Sequence, residues 1–259
     1  MLSLLLSSLL LWARPTVAEQ TNVARILIYS ATADFRHDSI PTAVDALVQL
    51  GPDSNIAFDR TEDKTWFTDD TLAQYDALLF LSNTGEVLDD AGKTALRHYL
   101  DLGGNFVAVH AASDALRNTT WYQEEVGAAF DYHPEITNAN VDVVGPSHPS
   151  TAGLMSVWPV RDEMYNFKSD PRAIGAVVVL SADESSYTAW YQEHGAGIDA
   201  NGTAGRSFYT SLGHLNETWK DSLFLGHREG GKWGSGIEQY QQQLHGFSLG
   251  HQHLKLKFP

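Results

Sequence analysis

The chain reads as a single α/β domain of the doubly wound type, and three observations carry that reading. Short, continuously apolar runs alternate with amphipathic segments. Those runs are nearly continuous in apolar residues rather than alternating, as strands of a parallel sheet covered on both faces are. The chain also has no cysteine, so no disulfide framework supplements the core, and a globule of 259 residues with 43% apolar content has enough material to build one.

The elements follow in order. Arg25-Ile26-Leu27-Ile28-Tyr29-Ser30 is a strand that ends in polar residues. Ser39-Ile40-Pro41 then opens a helix with apolar positions at Ala43, Val44, Ala46, Leu47 and Leu50. Asp38 or Ser39 is placed to cap it, with Pro41 suited to its first turn. Tyr75 to Leu81 is the next strand, Asp89 to Leu102 a helix, and Gly103-Gly104-Asn105 the turn into strand Phe106 to Val109. The second half is less regular. Strands are expected at Val141 to Val144, Ala176 to Leu180 and Ser207 to Leu212, with a turn over Asp199 to Gly205. The stretch after about Gly230 shows no periodicity.

Composition narrows the partners. A formal charge of −15 argues against nucleic acid, whose binding needs a basic surface to release counterions from phosphate. The leucine-rich start, followed by Ala13-Arg14-Pro15 and Thr16-Val17-Ala18, has the layout of a signal peptide over residues 1–18, so a secreted, extracellular protein is expected. The apolar run is much shorter than the roughly 20 residues needed to span a bilayer. Asn118, Asn201 and Asn216 each begin a glycosylation triplet.

In doubly wound sheets, ligands bind outside the carboxyl ends of the strands. Thr32 to Asp38, Ser82 to Glu86 and His110 to Asp114 are therefore the first places to seek chemistry. His110 is the sharpest feature: it follows strand Phe106 to Val109 directly and is flanked by small residues, as the nucleophile is in an elbow motif. His214 repeats the strand-then-histidine arrangement. Asp114 is placed either to orient the His110 ring or to cap a following helix. His37, His133, His148, Glu163, Tyr165 and Arg172 complete the candidates. Histidines and carboxylates gathered from separate strand ends can bind a divalent metal or share acid and base roles. No short ligand pair of a zinc motif is present.

Several segments resemble one family in register: Phe35-Arg36-His37-Asp38-Ser39-Ile40; Gly103-Gly104 through His110-Ala111-Ala112; His148-Pro149-Ser150-Thr151; Asp162-Glu163-Met164-Tyr165-Asn166-Phe167; Asp183 to Tyr187; and Gly205 to His214. Together they look like the ThuA-like (trehalose-utilisation) family, over a domain at residues 24–230 with a divergent tail at 231–259. Two departures from the family pattern stand out. Tyr187 runs almost at once into Thr188 to Glu193, without an Asp-His-Pro segment, and the tail lacks the expected closing helix.

The resemblance implies a flavodoxin-like three-layer sandwich with a mainly parallel sheet, like that of class I glutamine amidotransferases. It also implies that His110 stands where those enzymes carry their cysteine, so glutamine hydrolysis is not expected. A carbohydrate role follows, with a glycoside or keto-sugar hydrolysed or eliminated. His110 and His214 would act as acid and base, His37, Glu163, Tyr165 and Arg172 would hold substrate or a divalent metal, and Asp114 and His133 would bind substrate. Two alternatives remain at this level. One is a non-catalytic carbohydrate-binding protein stacking sugars on Trp66, Trp121, Tyr122, Trp158 and Trp190. The other is a paired-carboxylate glycosidase drawing on Asp162, Glu163, Asp183 and Glu184.

Overall fold

The structure, a computed structural model, describes residues 23–225 except 152, 184 and 185. The expected leader and tail lie outside the described residues. Among those residues, no helix is long and apolar enough to cross a membrane.

In chain order the strands are β1 (Ala24–Tyr29), β2 (Ile56–Thr61), β3 (Ala77–Leu81), β4 (Thr84–Gly85), β5 (Asn105–Val109), β6 (Asp114–Ala115), β7 (Phe130–Tyr132), β8 (Thr137–Val143), β9 (Val157–Asp162), β10 (Asn166–Phe167), β11 (Val177–Ser181), β12 (Tyr187–Gln192) and β13 (Ser207–Thr210). The helices are α1 (Ile40–Leu50), α2 (Asp69–Leu72), α3 (Asp90–Asp101), α4 (Thr120–Val126) and α5 (Ser222–Leu225). The strands and helices expected in the first half fall within a residue or two of these bounds. Strands β2, β9 and β12 have exposed alternate residues or polar insertions, so their apolar signal is weak.

Nine strands form one mixed sheet in the order β2-β1-β3-β5-β13-β12-β11-β8-β9. The run from β2 to β13 is parallel, and from β13 to β9 every pairing is antiparallel. Alternate residues of the central strands feed two cores. Leu27, Tyr29, Leu78, Phe80 and Phe106 point to one face, where Leu96 and Tyr99 of α3 and Tyr122 of α4 cover them. Ile26, Ile28, Leu79, Val107 and Val109 point to the other, under Ile40, Ala43 and Leu47 of α1 and the ring of Trp219. Each such fully buried side chain contributes roughly 1.5–3 kcal/mol.

The β8–β9 ribbon decides where the site lies. β11 pairs with β8 only through Leu180↔Val143 and Ser181↔Asp142. Residues 137–141 of β8 therefore run past the carboxyl end of β11, paired only with β9. Counting the alternation of directions, β9 points the same way as the parallel strands. Its last residue, Asp162, ends beyond the sheet and returns over the end of β13, where its carboxylate accepts from the Gly213 and His214 amides.

Candidate functional site

Four side chains meet above the carboxyl ends of the parallel strands: His37 from the loop after β1, His110 directly after β5, His214 just beyond β13, and Glu163 at the end of β9. One ligating atom from each lies within 4.8 Å of all the others. His37, His110 and Glu163 are buried, and His214 is half-buried.

His110 sits on an elbow. Its φ of 54° is left-handed, a conformation that costs a non-glycine residue roughly 1–2 kcal/mol, and it turns the chain sharply out of β5. The Tyr209 hydroxyl donates to the His110 carbonyl at 2.9 Å and holds that turn. The ring is set by its Nδ1–H, which donates to the Ser211 carbonyl at 2.6 Å. Nε2 is left as a lone pair aimed into the cluster. There it meets His37 Nε2 at 3.1 Å, the Tyr165 hydroxyl at 3.1 Å and Glu163 Oε2 at 3.5 Å. Burial pushes the His110 ring down to about 4, against the Ser211 bond and the Glu163 charge. His37 is pushed to about 3, first by burial and then by the neighbouring His110 and His214 rings. Both are neutral at pH 7.

Glu163 Oε2 is the hub, 3.1 Å from His214 Nδ1, 3.5 Å from His110 Nε2 and 3.6 Å from His133 Nε2. Burial pushes its carboxyl up, but the three imidazoles outweigh burial and hold it below the usual glutamate range. The carboxylate in turn raises His214. The buried His37 Nδ1 and His214 Nδ1 nevertheless have no aligned hydrogen-bond partner. Four ligand-type side chains thus face one small space, an arrangement that could hold a cation.

The loops that carry these residues are tied to one another. The Ser39 hydroxyl does not cap α1, as the sequence suggested; it donates to the Gly213 carbonyl at 3.0 Å and joins the His37 loop to the His214 loop. Gly213 has φ +132°, and a Cβ there would sit 3.4 Å from Trp219 and Val109 and 3.5 Å from the His110 Cβ. Only glycine suits that conformation beside the elbow.

His133 and Tyr165 flank the cluster. The Tyr165 ring packs on Phe130 and stacks at 17° with His133, whose side chain is 34% exposed and marks the open side. These residues are carried by the small β7–β10 pair.

Two expected residues go elsewhere. Asp114 neither orients His110 nor caps a helix; it pairs with Arg117, which also reaches Asp34. Arg172 pairs with Asp170 and lies over the Tyr187 ring, along an open groove with Asp142 and Ser181. His148 is structural, stacked on Tyr191 and bonded to Ser150. Of the aromatics offered for sugar stacking, Tyr122, Trp158 and Trp190 are core residues, Trp121 carries Arg97 over its ring, and Trp66 is 37% exposed. Asp162 is saturated by four donors, and Asp183 accepts from the Ser186 amide. Asp162 was offered by the sequence as a glycosidase carboxylate; that it instead accepts from the Gly213 and His214 amides has no signal in the sequence. Asn118 and Asn201 are exposed, whereas Asn216 is half-buried and accepts from the Thr42 hydroxyl.

Known structures with this fold are similar over most of their length. A ThuA-like protein from Bacteroides uniformis has a TM-score of 0.63 at 19% identity, with 81% of this chain and 89% of that one covered. A ThuA-like protein from Parabacteroides merdae has a TM-score of 0.56 at 14% identity, covering 91% and 93%. A cytoplasmic protein from Salmonella typhimurium has a TM-score of 0.54 at 11% identity, covering 86% and 98%. Comparison with curated proteins gives no match. The family model ThuA, described as trehalose utilisation, matches residues 25–233, and the chain belongs to that family.

Proposed function

We propose that the chain is a secreted, divalent-metal-dependent enzyme of carbohydrate metabolism that hydrolyses or eliminates a neutral glycoside or keto-sugar. The observation that carries this reading is the convergence of His37, His110, Glu163 and His214 within 4.8 Å. Ligand atoms on arms of about 2.0–2.1 Å around one tetrahedral ion stand about 3.4 Å apart. Three of the six separations, at 3.1, 3.5 and 3.1 Å, lie near that spacing, and the rest stay within 4.8 Å. Three imidazoles and one carboxylate suit a borderline cation such as zinc rather than calcium or magnesium, which prefer oxygen. The Ser211 carbonyl supplies the outer hydrogen bond that fixes the tautomer of a ligating histidine.

On this reading His110 and His214 act as ligands rather than as acid and base. The ion, when bound, supplies Lewis acidity toward a sugar oxygen. With the His110 Nε2 lone pair engaged, the Tyr165 hydroxyl is released to donate to substrate, and His133 holds the substrate at the open side. The substrate is neutral because the nearby cations are already paired, Arg36 with Glu62 and Arg117 with Asp34 and Asp114. No arginine of these loops is left for a phosphate or carboxylate. The carbohydrate class rests on the family. The finer fold reading is the flavodoxin-like sandwich of class I glutamine amidotransferases, supported by helical cover on both sheet faces and by the elbow at His110. Thiolate-dependent glutamine hydrolysis is not available to a chain without cysteine.

The test is metal content by mass spectrometry on purified protein, alongside His110→Ala and His214→Ala. One divalent ion per chain in the parent, lost from both variants, supports the reading and directs a screen of neutral glycosides and keto-sugars. A folded parent that takes up no metal overturns it and leaves sugar binding without metal chemistry as the reading to test.

A further inference from the structure

Asp162 is buried, with 1% of its surface exposed, yet it is outside the four-residue cluster. Its two oxygens take four donors. Oδ1 accepts from the Glu163 amide at 2.9 Å and the His214 amide at 3.2 Å. Oδ2 accepts from the Gly213 amide at 2.9 Å and the Thr218 hydroxyl at 3.1 Å. Two of those amides belong to the residues whose side chains supply the carboxylate and one imidazole of the cluster. A third belongs to the glycine beside the elbow.

The register shows why such a clamp is needed. β9 is the far edge of the sheet and β13 lies near its middle, with β12, β11 and β8 between them. Among the described residues no backbone pairing joins the Glu163 end to the His214 loop, and the other side-chain link from β9, Arg161 to Glu217, is exposed to solvent. The loop from Gly213 to Thr218 has no strand of its own and turns on the Asp162 carboxylate. A buried carboxylate accepting several N–H and O–H bonds is held rigidly, since each bond to a charged acceptor is worth more than a neutral one.

We propose that Asp162 is the positioning residue of the metal site, locking Glu163 and His214 into one unit across the gap between the edge strand and the parallel strands. The inference rests on the metal reading above. It also excludes Asp162 as a glycosidase carboxylate, because its lone pairs are taken.

The experiment is a titration with cobalt(II) of the metal-free parent, Asp162→Asn, Thr218→Val and a control, Leu96→Ala, which removes a fully buried side chain of α3 away from the site. Visible absorption reports ligand geometry, far-UV circular dichroism reports the fold, and neither needs a substrate. Asp162→Asn is expected to bind cobalt about 10–100-fold more weakly with an altered visible band, the cost typical of removing an outer partner. Thr218→Val, which keeps the carboxylate and removes one donor, shifts both readouts in the same direction by less. Leu96→Ala loses thermal stability but keeps the parent band and affinity. A folded Asp162→Asn with the parent affinity and band overturns the inference while leaving the metal site intact. If Asp162→Asn does not fold, an unchanged Thr218→Val does the same. A parent that binds no cobalt overturns the metal reading itself, and the inference with it.

Discussion

The parallel and antiparallel halves of the sheet contribute to the cluster in different ways. From β1 to β13 the strands are buried on both faces, and three of them lead to a histidine: β1 to His37 in the loop that follows it, β5 directly to His110, and β13 to His214 four residues on. Parallel strands all end on one edge, so three histidines far apart in sequence are brought to the same end of the sheet, where the Ser39 hydroxyl ties the His37 loop to the His214 loop. The antiparallel half has no such guarantee. It delivers Glu163 because the β8–β9 ribbon overruns β11, and the buried Asp162 carboxylate, with the exposed Arg161–Glu217 pair, ties that end to the His214 loop. One half places its residues by topology, the other by a few hydrogen bonds.

That contrast can be broken or sharpened by experiment. The largest effect is expected at the elbow: His110→Ala should lower divalent-metal affinity by more than about 100-fold, since even outer-partner losses cost about 10–100-fold. Equilibrium dialysis with zinc measures it, and near-parent affinity would show that the parallel half does not hold the ion. Glu163→Gln should cost less, about 10–100-fold, with the fold retained, because an amide oxygen still faces the three imidazoles. If Glu163→Gln instead exceeds His110→Ala, the antiparallel half is the anchor and the comparison is reversed.

A third test uses pH. His37 and His110 titrate at about 3 and about 4 in the folded protein, against 6.5 when free. Between about pH 6.5 and 4 the unfolded chain thus binds more protons, and each histidine makes stability fall by about 1.4 kcal/mol per pH unit on acidification. His214, raised by Glu163, acts in a separate window: its contribution is present below 6.5 and lost as pH rises through its raised value. Urea unfolding of the metal-free parent and of His37→Asn should show a shallower acid dependence in the variant. Equal slopes would mean that His37 is not buried in neutral form.

Tyr165→Phe should retain the metal and lower turnover of the best sugar about tenfold, the worth of one hydrogen bond to a polarised group. A loss of metal instead would place the Tyr165 hydroxyl among the ligands. The smallest effect is expected at Arg172→Ala, which should leave zinc affinity and turnover unchanged, because its partners Asp170 and Tyr187 lie along a groove apart from the cluster.

The first half of the fold was legible because β1, β3 and β5 are nearly continuous apolar runs, broken only by Arg25 and Asn105 near their starts, and α1 and α3 carry one apolar stripe each. β9 was not: Val157-Trp158-Pro159-Val160-Arg161-Asp162 has a proline and an arginine in an edge ribbon whose outer positions face solvent. His37, His110 and His214 were singled out from their places near strand ends, and Glu163 and Tyr165 as members of the run Asp162 to Phe167. Asp114 and Arg172 were misplaced because acids and arginines near a strand end satisfy one another locally, Asp114 with Arg117 three residues on and Arg172 with Asp170 two residues back.

By itself the sequence determined the doubly wound half, the absence of thiol chemistry, and the presence of histidines where parallel strands end. These are properties of runs and neighbours, which periodicity and residue chemistry record. Only the tertiary structure decided that the three imidazoles and Glu163 converge within 4.8 Å, and that the Asp162 carboxylate accepts from the Gly213 and His214 amides. Such meetings depend on sheet order, on a ribbon overrunning its neighbour, and on hydrogen bonds between residues about fifty positions apart, none of which leaves a local pattern in the chain.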